Sequence, residues 1–134
     1  MARAAAWHLP GMGTFTVTVG LPGRKKVDAL VDTGATFSKL PAPLLRRLGI
    51  EPDFATKVEL GDGRIIRREV GYVRLTLGRK SALVPVMFGG RDEEPLVGAT
   101  TLEILGLAPD PLHRRLRESR HLEISEVRGR PRRR

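Results

Sequence analysis

The sequence predicts a small, mainly β domain with two short helices, folded as a β-barrel or a folded sheet. Three observations carry this. Six or seven short runs either alternate apolar and polar residues or are rich in β-branched ones. Gly, Pro and Asp turn signals separate those runs roughly every ten residues. A chain of 134 residues, 40% apolar and 29% charged, has room for one core.

Taken in order, Thr14 to Val19 alternates and is β-branched, so it reads as a strand. Gly20 to Lys26 is a turn-rich break, and Val27 to Asp32 holds the apolar run of a buried strand. Pro41 to Leu48 opens on prolines, continues with helix formers and meets Gly49, the pattern of a short helix. Thr56 to Leu60 and Arg64 to Arg68 flank Gly61-Asp62-Gly63, a hairpin signal. Tyr72 to Leu77 alternates again, and Gly78-Arg79-Lys80 turns the chain into Ser81 to Phe88. Pro85 inside that run predicts an edge strand or a strand end. Leu102 to Leu107 reads as a second short helix, stopped before Pro109 and Pro111, and His121 to Val127 as a last strand. The chain thus divides into an N-terminal extension over 1–12, a domain over 13–127 and a basic tail over 128–134, which has nothing to pack and is expected to be disordered.

The formal charge of +9 comes from 24 Lys and Arg against 15 Asp and Glu. Five of the arginines lie in the last seven residues, and without them the body carries +4. The basic balance is therefore partly a tail effect, and with aromatics at 4% it argues for loose polyanion affinity and against a specific nucleic-acid site. The absence of cysteine excludes disulfides, thiolate metal sites and a cysteine nucleophile. His8, His113 and His121 have no metal-site spacing. Met1 to Gly13 reads as too short and polar for a signal peptide, and no run is long and apolar enough for a membrane span. The default expectation is a cytoplasmic protein without a membrane partner.

The sharpest local feature is Leu30-Val31-Asp32-Thr33-Gly34-Ala35, an acidic residue emerging from an apolar strand with a hydroxyl and a glycine behind it. A carboxylate beside a buried run is costly unless hydrogen bonds or a partner charge compensate. Alone, the motif also fits an Asx-type turn closing a strand.

This hexapeptide resembles the catalytic signature of the retroviral-type, retropepsin-like aspartic proteases. Their second signature, two apolar residues, a glycine and a short helix, is matched by Leu96-Val97-Gly98 and Ala99 to Leu107, with Gly98 66 positions beyond Asp32. The Thr56 to Arg68 hairpin falls between them, where that family carries its flap. The resemblance spans roughly Gly13 to Asp110 and is closest to the small stand-alone bacterial members.

It implies a closed acid-protease barrel that is one subunit of a two-fold dimer, an aspartic endopeptidase without metal or cofactor, and an extended peptide or flexible protein segment as substrate. The chemistry needs two carboxylates sharing one proton. Asp28, Asp53, Asp62, Asp92 and Asp110 lack the Thr-Gly context, so the second carboxylate must be another copy of Asp32. An obligate homodimer follows, inactive as a monomer. By resemblance, Asp32 is catalytic, Thr33 hydrogen-bonds across the two-fold axis, and Gly34 lets backbone and substrate approach. Ala35 stands where many pepsin-like enzymes carry a hydroxyl, which implies a less acidic optimum. Lys57 to Arg67 is the implied flap, with substrate-binding Gly61, Asp62 and Gly63 at its tip. A plain hairpin is an equal reading there, and Asp62 departs from the apolar, glycine-rich tips of the family. The family's ion pair after the second glycine is missing, since Thr36 and Ala99 occupy those positions. Leu112 to Leu116 and His121 to Val127 are both candidates for dimer strands, and His113 and His121 read as surface residues. Two rivals stand beside this reading: a non-catalytic dimeric peptide-binding module on the same fold, and polyanion binding through the arginine tail.

Overall fold

The alternation after Thr14 folds as β1 (Thr16–Leu21), which pairs antiparallel with β2 (Lys25–Val31) across a tight turn at Pro22–Arg24. The structure, a computed structural model, describes residues 14–119. The extension over 1–12, the His121 to Val127 strand and the arginine tail lie outside the described residues. Beyond β2 come β3 (Ser38–Pro41), α1 (Ala42–Arg47), β4 (Phe54–Glu59), β5 (Ile65–Leu77), β6 (Lys80–Gly89), β7 (Leu96–Val97), α2 (Ala99–Leu105), β8 (Leu107–Asp110) and β9 (Arg115–Glu118).

Seven strands form one sheet in the order β1-β2-β7-β3-β6-β5-β4. A further pairing of β1 with β5, at Gly20 and Thr76, closes six of them into a barrel and leaves β4 attached only to β5. Closure brings the strands close: a Cβ at position 20 would stand 3.1 Å from Thr76 Cβ. The inward residues of the barrel, among them Val19, Val31, Leu40, Val73, Leu75, Val84, Val86 and Val97, join Leu45 of α1 and Leu102 and Leu105 of α2 in one core. No helix among the described residues is long and apolar enough to cross a membrane.

Four features differ from the sequence expectations, each for a tertiary reason. β3 was not anticipated. It is four residues long, and its partners, β6 and β7, lie far along the chain at Val86–Gly89 and Leu96. The runs Arg64 to Arg68 and Tyr72 to Leu77 are one strand, β5. Its first half pairs with β4, its second half with β6, and Gly71 joins them where backbone and aromatic atoms leave no room for a side chain. Pro85 sits in an interior strand, not an edge. The β3 ladder begins only at Val86, so the proline's missing N–H falls where β6 has no partner on that side. The second helix ends at Leu105, because Gly106 adopts a left-handed φ of 68° and caps it. Leu107 then opens the β8–β9 hairpin, which Pro109 permits because it lies in a two-stranded sheet with open edges. At that hairpin's tip Asp110 receives the His113 ring at 2.9 Å and Arg115 at 3.5 Å. The His113 ring, above all, holds the Asp110 carboxyl below its ordinary range. His113 is a surface residue that staples this turn.

Candidate active site

The loop after β2 is held from both sides. Asp32 N–H donates to the Val97 carbonyl at 2.9 Å, Val31 N–H to Phe15 O at 3.0 Å, and Ala35 N–H to Asp32 O at 3.1 Å. The Asp32 side chain turns back over its own loop, its Oδ1 accepting the Gly34 N–H at 3.0 Å. The bond that closes this Asx turn also orients the Asp32 carboxylate. Asp32 is half-buried, while Thr33 and Gly34 are exposed. A Cβ at position 34 would approach Asp32 Oδ1 to 3.3 Å, so glycine suits that tight approach.

Behind this loop the second signature crosses it. β7 runs parallel to β2, with Leu30 beside Leu96 and Val31 beside Val97. Gly98 then passes under the loop so closely that a Cβ would stand 2.6 Å from Phe37 O and 2.7 Å from Ala35 O. The start of α2 bonds to the loop, Ala99 N–H to Ala35 O at 2.8 Å and Thr100 N–H to Thr36 O at 3.0 Å. Ser38 Oγ accepts the Gly98 N–H at 3.0 Å and lies 2.6 Å from Thr101 Oγ1, both side chains fully buried. Sequence reasoning missed this Ser38–Thr101 pair. Its one signal is a serine and a threonine flanking the two signatures at apolar positions.

The β4–β5 hairpin joins the barrel through β5 alone, which suits a flap and a plain hairpin alike. Its tip closes with Leu60 N–H on Arg64 O at 2.7 Å and Gly63 N–H on Leu60 O at 2.9 Å, Gly63 having φ 89°. Asp62 is taken up within the turn. It accepts Arg64 N–H at 3.0 Å and Arg64 Nε at 2.8 Å, and these bonds, the backbone one first, lower its carboxyl below the ordinary value. Between hairpin and loop lies a cleft of about 1320 Å³, lined by Gly34 to Phe37 on one side and Thr56 to Asp62 on the other. Gly61 and Asp62 therefore face the same space as Gly34.

One wall of the cleft is ionic. Glu93 Oε2 accepts Arg68 Nη2 at 2.6 Å, Oε1 accepts Gly90 N–H at 3.0 Å, and Lys39 Nζ stands 3.4 Å from Oε1. Burial alone would raise the Glu93 carboxyl; the Gly90 amide, Arg68 and Lys39 overcome it and hold the group at about 2. Beside the wall, Phe37 packs edge-on against Phe54, and Phe54 against Tyr72. Among the described residues no group of three or more His, Asp or Glu is placed to hold a metal ion.

The Asp-Thr-Gly loop of a closed barrel is thus pinned against the Leu-Val-Gly strand, with the β4–β5 hairpin across the cleft. A model of the aspartyl protease family matches residues 15–101, about two thirds of the chain, and the chain belongs to that family. Two solved structures share its fold. The simian foamy virus (mac) protease superposes with a TM-score of 0.54 at 19% identity, over 71% of this chain and 99% of that one. A retropepsin-like aspartic protease from Rickettsia conorii gives 0.57 at 20% identity, over 78% and 79%. The fold is the retropepsin fold. No curated protein matches the chain significantly.

Proposed function

We propose that the chain is an aspartic endopeptidase working as a homodimer, with one Asp32 from each subunit forming the catalytic pair. Asp32 closes the loop after β2, its Oδ1 fixed by the Gly34 N–H, and the loop residues that follow, Gly34 to Phe37, line a 1320 Å³ cleft across from the β4–β5 hairpin. That arrangement carries the reading. One Asp-Thr-Gly occurs in the sequence, and the reaction needs two carboxylates, so a two-fold axis beside Asp32 is the economical source of the second.

In the dimer the pair holds one proton. The ionised carboxylate takes a proton from water while the protonated one donates to the scissile carbonyl oxygen, and the water oxygen bonds to the carbonyl carbon. The resulting diol collapses as a proton passes to the amide nitrogen and the C–N bond breaks, leaving a carboxylic acid and an amine. Gly34, exposed beside Asp32, leaves its backbone open to an extended peptide, and the hairpin supplies strand-like backbone from above. Closure of that hairpin would exclude water from the pair.

The test incubates purified protein with a peptide library from about pH 4 to 8, read by mass spectrometry, beside Asp32→Asn. Sedimentation at each concentration reports the dimer. The expected result is cleavage that vanishes in Asp32→Asn and whose specific activity rises with the dimer fraction. Cleavage that survives in the variant, or none from a folded dimer, overturns the proposal.

A further inference from the structure

A register row crosses six strands, and four of its residues, Leu30, Leu96, Lys39 and Met87, line the cleft. Leu30 of β2 lies beside Leu96 of β7, Leu96 beside Lys39 of β3, and Lys39 beside Met87 of β6. Met87 then pairs with Val70 of β5, and Val70 with Phe54 of β4. Register partners point to the same face, and the Asp32 loop begins two residues beyond Leu30. Five of the six side chains are apolar, and Lys39 is the exception.

Lys39 is built into the floor. Its stem lies against Gly89, where a Cβ would come within 2.8 Å of Lys39 Cγ, and its side chain is only 21% exposed. The ammonium forms an ion pair with Glu93 at 3.4 Å but no hydrogen bond among the described residues. Glu93 is already engaged by the Gly90 N–H and by Arg68, itself 18% exposed. Two half-buried cations therefore share one carboxylate, and the lysine lines a peptide-sized cleft with one long contact to Glu93 Oε1 at 3.4 Å. A half-buried ammonium in that state favours an incoming anion.

We propose that Lys39 forms a subsite for a substrate carboxylate, so that the protein selects peptides with Asp or Glu close to the scissile bond. The inference rests on the peptide-cleft reading above. Two strand spacings separate Lys39 from Leu30, about 10 Å, so the acidic side chain sits within about three residues of the bond cut. Glu59, Asp92 and Glu94 also line the cleft, against Lys57, and would favour a basic peptide. All four are exposed, where water and salt screen them, whereas Lys39 is sheltered.

The experiment measures binding of labelled decapeptide libraries to the Asp32→Asn protein at pH 7 and 0.15 M salt. One position at a time is fixed as Glu, Gln or Lys, and the same libraries are digested with the parent protein. At one position Glu should bind about tenfold or more better than Gln, with Lys weakest. Lys39→Met, with Lys39→Gln as the second variant, should bring Glu and Gln to parity, and Lys39→Glu should invert the order. Equal binding of Glu and Gln, a Lys preference in the parent, a Glu preference that survives Lys39→Met and Lys39→Gln, or no binding of any library overturns the subsite. A Lys39-dependent Glu preference without cleavage by the parent upholds it and sinks the protease reading. Cleavage without the preference does the reverse.

Discussion

Alanine at position 98 tests whether the crossing behind the Asp32 loop holds the site together. A Cβ there would meet three backbone atoms, Phe37 O at 2.6 Å and Ala35 O and Phe37 C at 2.7 Å. None of these is the end of a flexible side chain, so the loop must retreat by most of an ångström to reach ordinary contact. Retreat stretches the bonds from Ala99 N–H to Ala35 O and from Thr100 N–H to Thr36 O, now 2.8 and 3.0 Å. Overpacking of this kind costs about 1–3 kcal/mol. Two weakened backbone bonds add about 1 kcal/mol each. The sum, about 3–5 kcal/mol, is a large part of the stability of an ordinary domain. Equilibrium urea unfolding of Gly98→Ala and parent, at one protein concentration because dimerisation would couple to stability, measures it as a fall in midpoint at constant slope. Calorimetry should show the melting temperature lower by roughly 10 °C or more. A variant within about 0.5 kcal/mol of the parent would refute the reasoning, since surface substitutions commonly stay inside that range.

Two predictions accompany those on Asp32 and Lys39. Ser38→Ala strands the buried Gly98 N–H and Thr101 hydroxyl and should cost about 1–3 kcal/mol in the same urea measurement. Adding Thr101→Val should cost less than the two single changes together, and full additivity would sink the pairing. The Glu93 carboxyl sits at about 2 in the folded chain, against an ordinary value of 4.5. A lowered carboxyl stabilises above its unfolded value and loses that stabilisation as pH falls through the folded one, so the window is pH 4.5 down to 2. With the side chain 38% exposed, the full linkage value must be cut for screening to about 1 kcal/mol. Glu93→Gln should flatten the fall in stability across that window, and an unchanged slope would show that the cluster does not carry it.

Local chemistry was legible in the chain itself. Alternation marks β1, Pro and Gly bracket α1, and Gly61-Asp62-Gly63 and Gly78-Arg79-Lys80 mark their hairpins, because each depends on residues within a few positions of one another. The Asp32 loop was legible for the same reason, since Gly34, two residues on, supplies the bond that closes it.

Long-range pairing was not. β3 has no periodicity of its own to reveal it, Pro85 is tolerated only because the β3 ladder starts one residue later, and β5 is continuous because one strand serves two partners. The sequence by itself determined that an aspartate would close a strand in a small β domain with a hairpin beyond it. Only the tertiary structure decided what surrounds that aspartate: Gly98 beneath the loop, Ser38 against Thr101, and a lysine in an apolar floor. These contacts join residues that the fold brings together across 54 to 63 positions of the chain, and their free energy comes from packing and hydrogen bonds that no local pattern encodes.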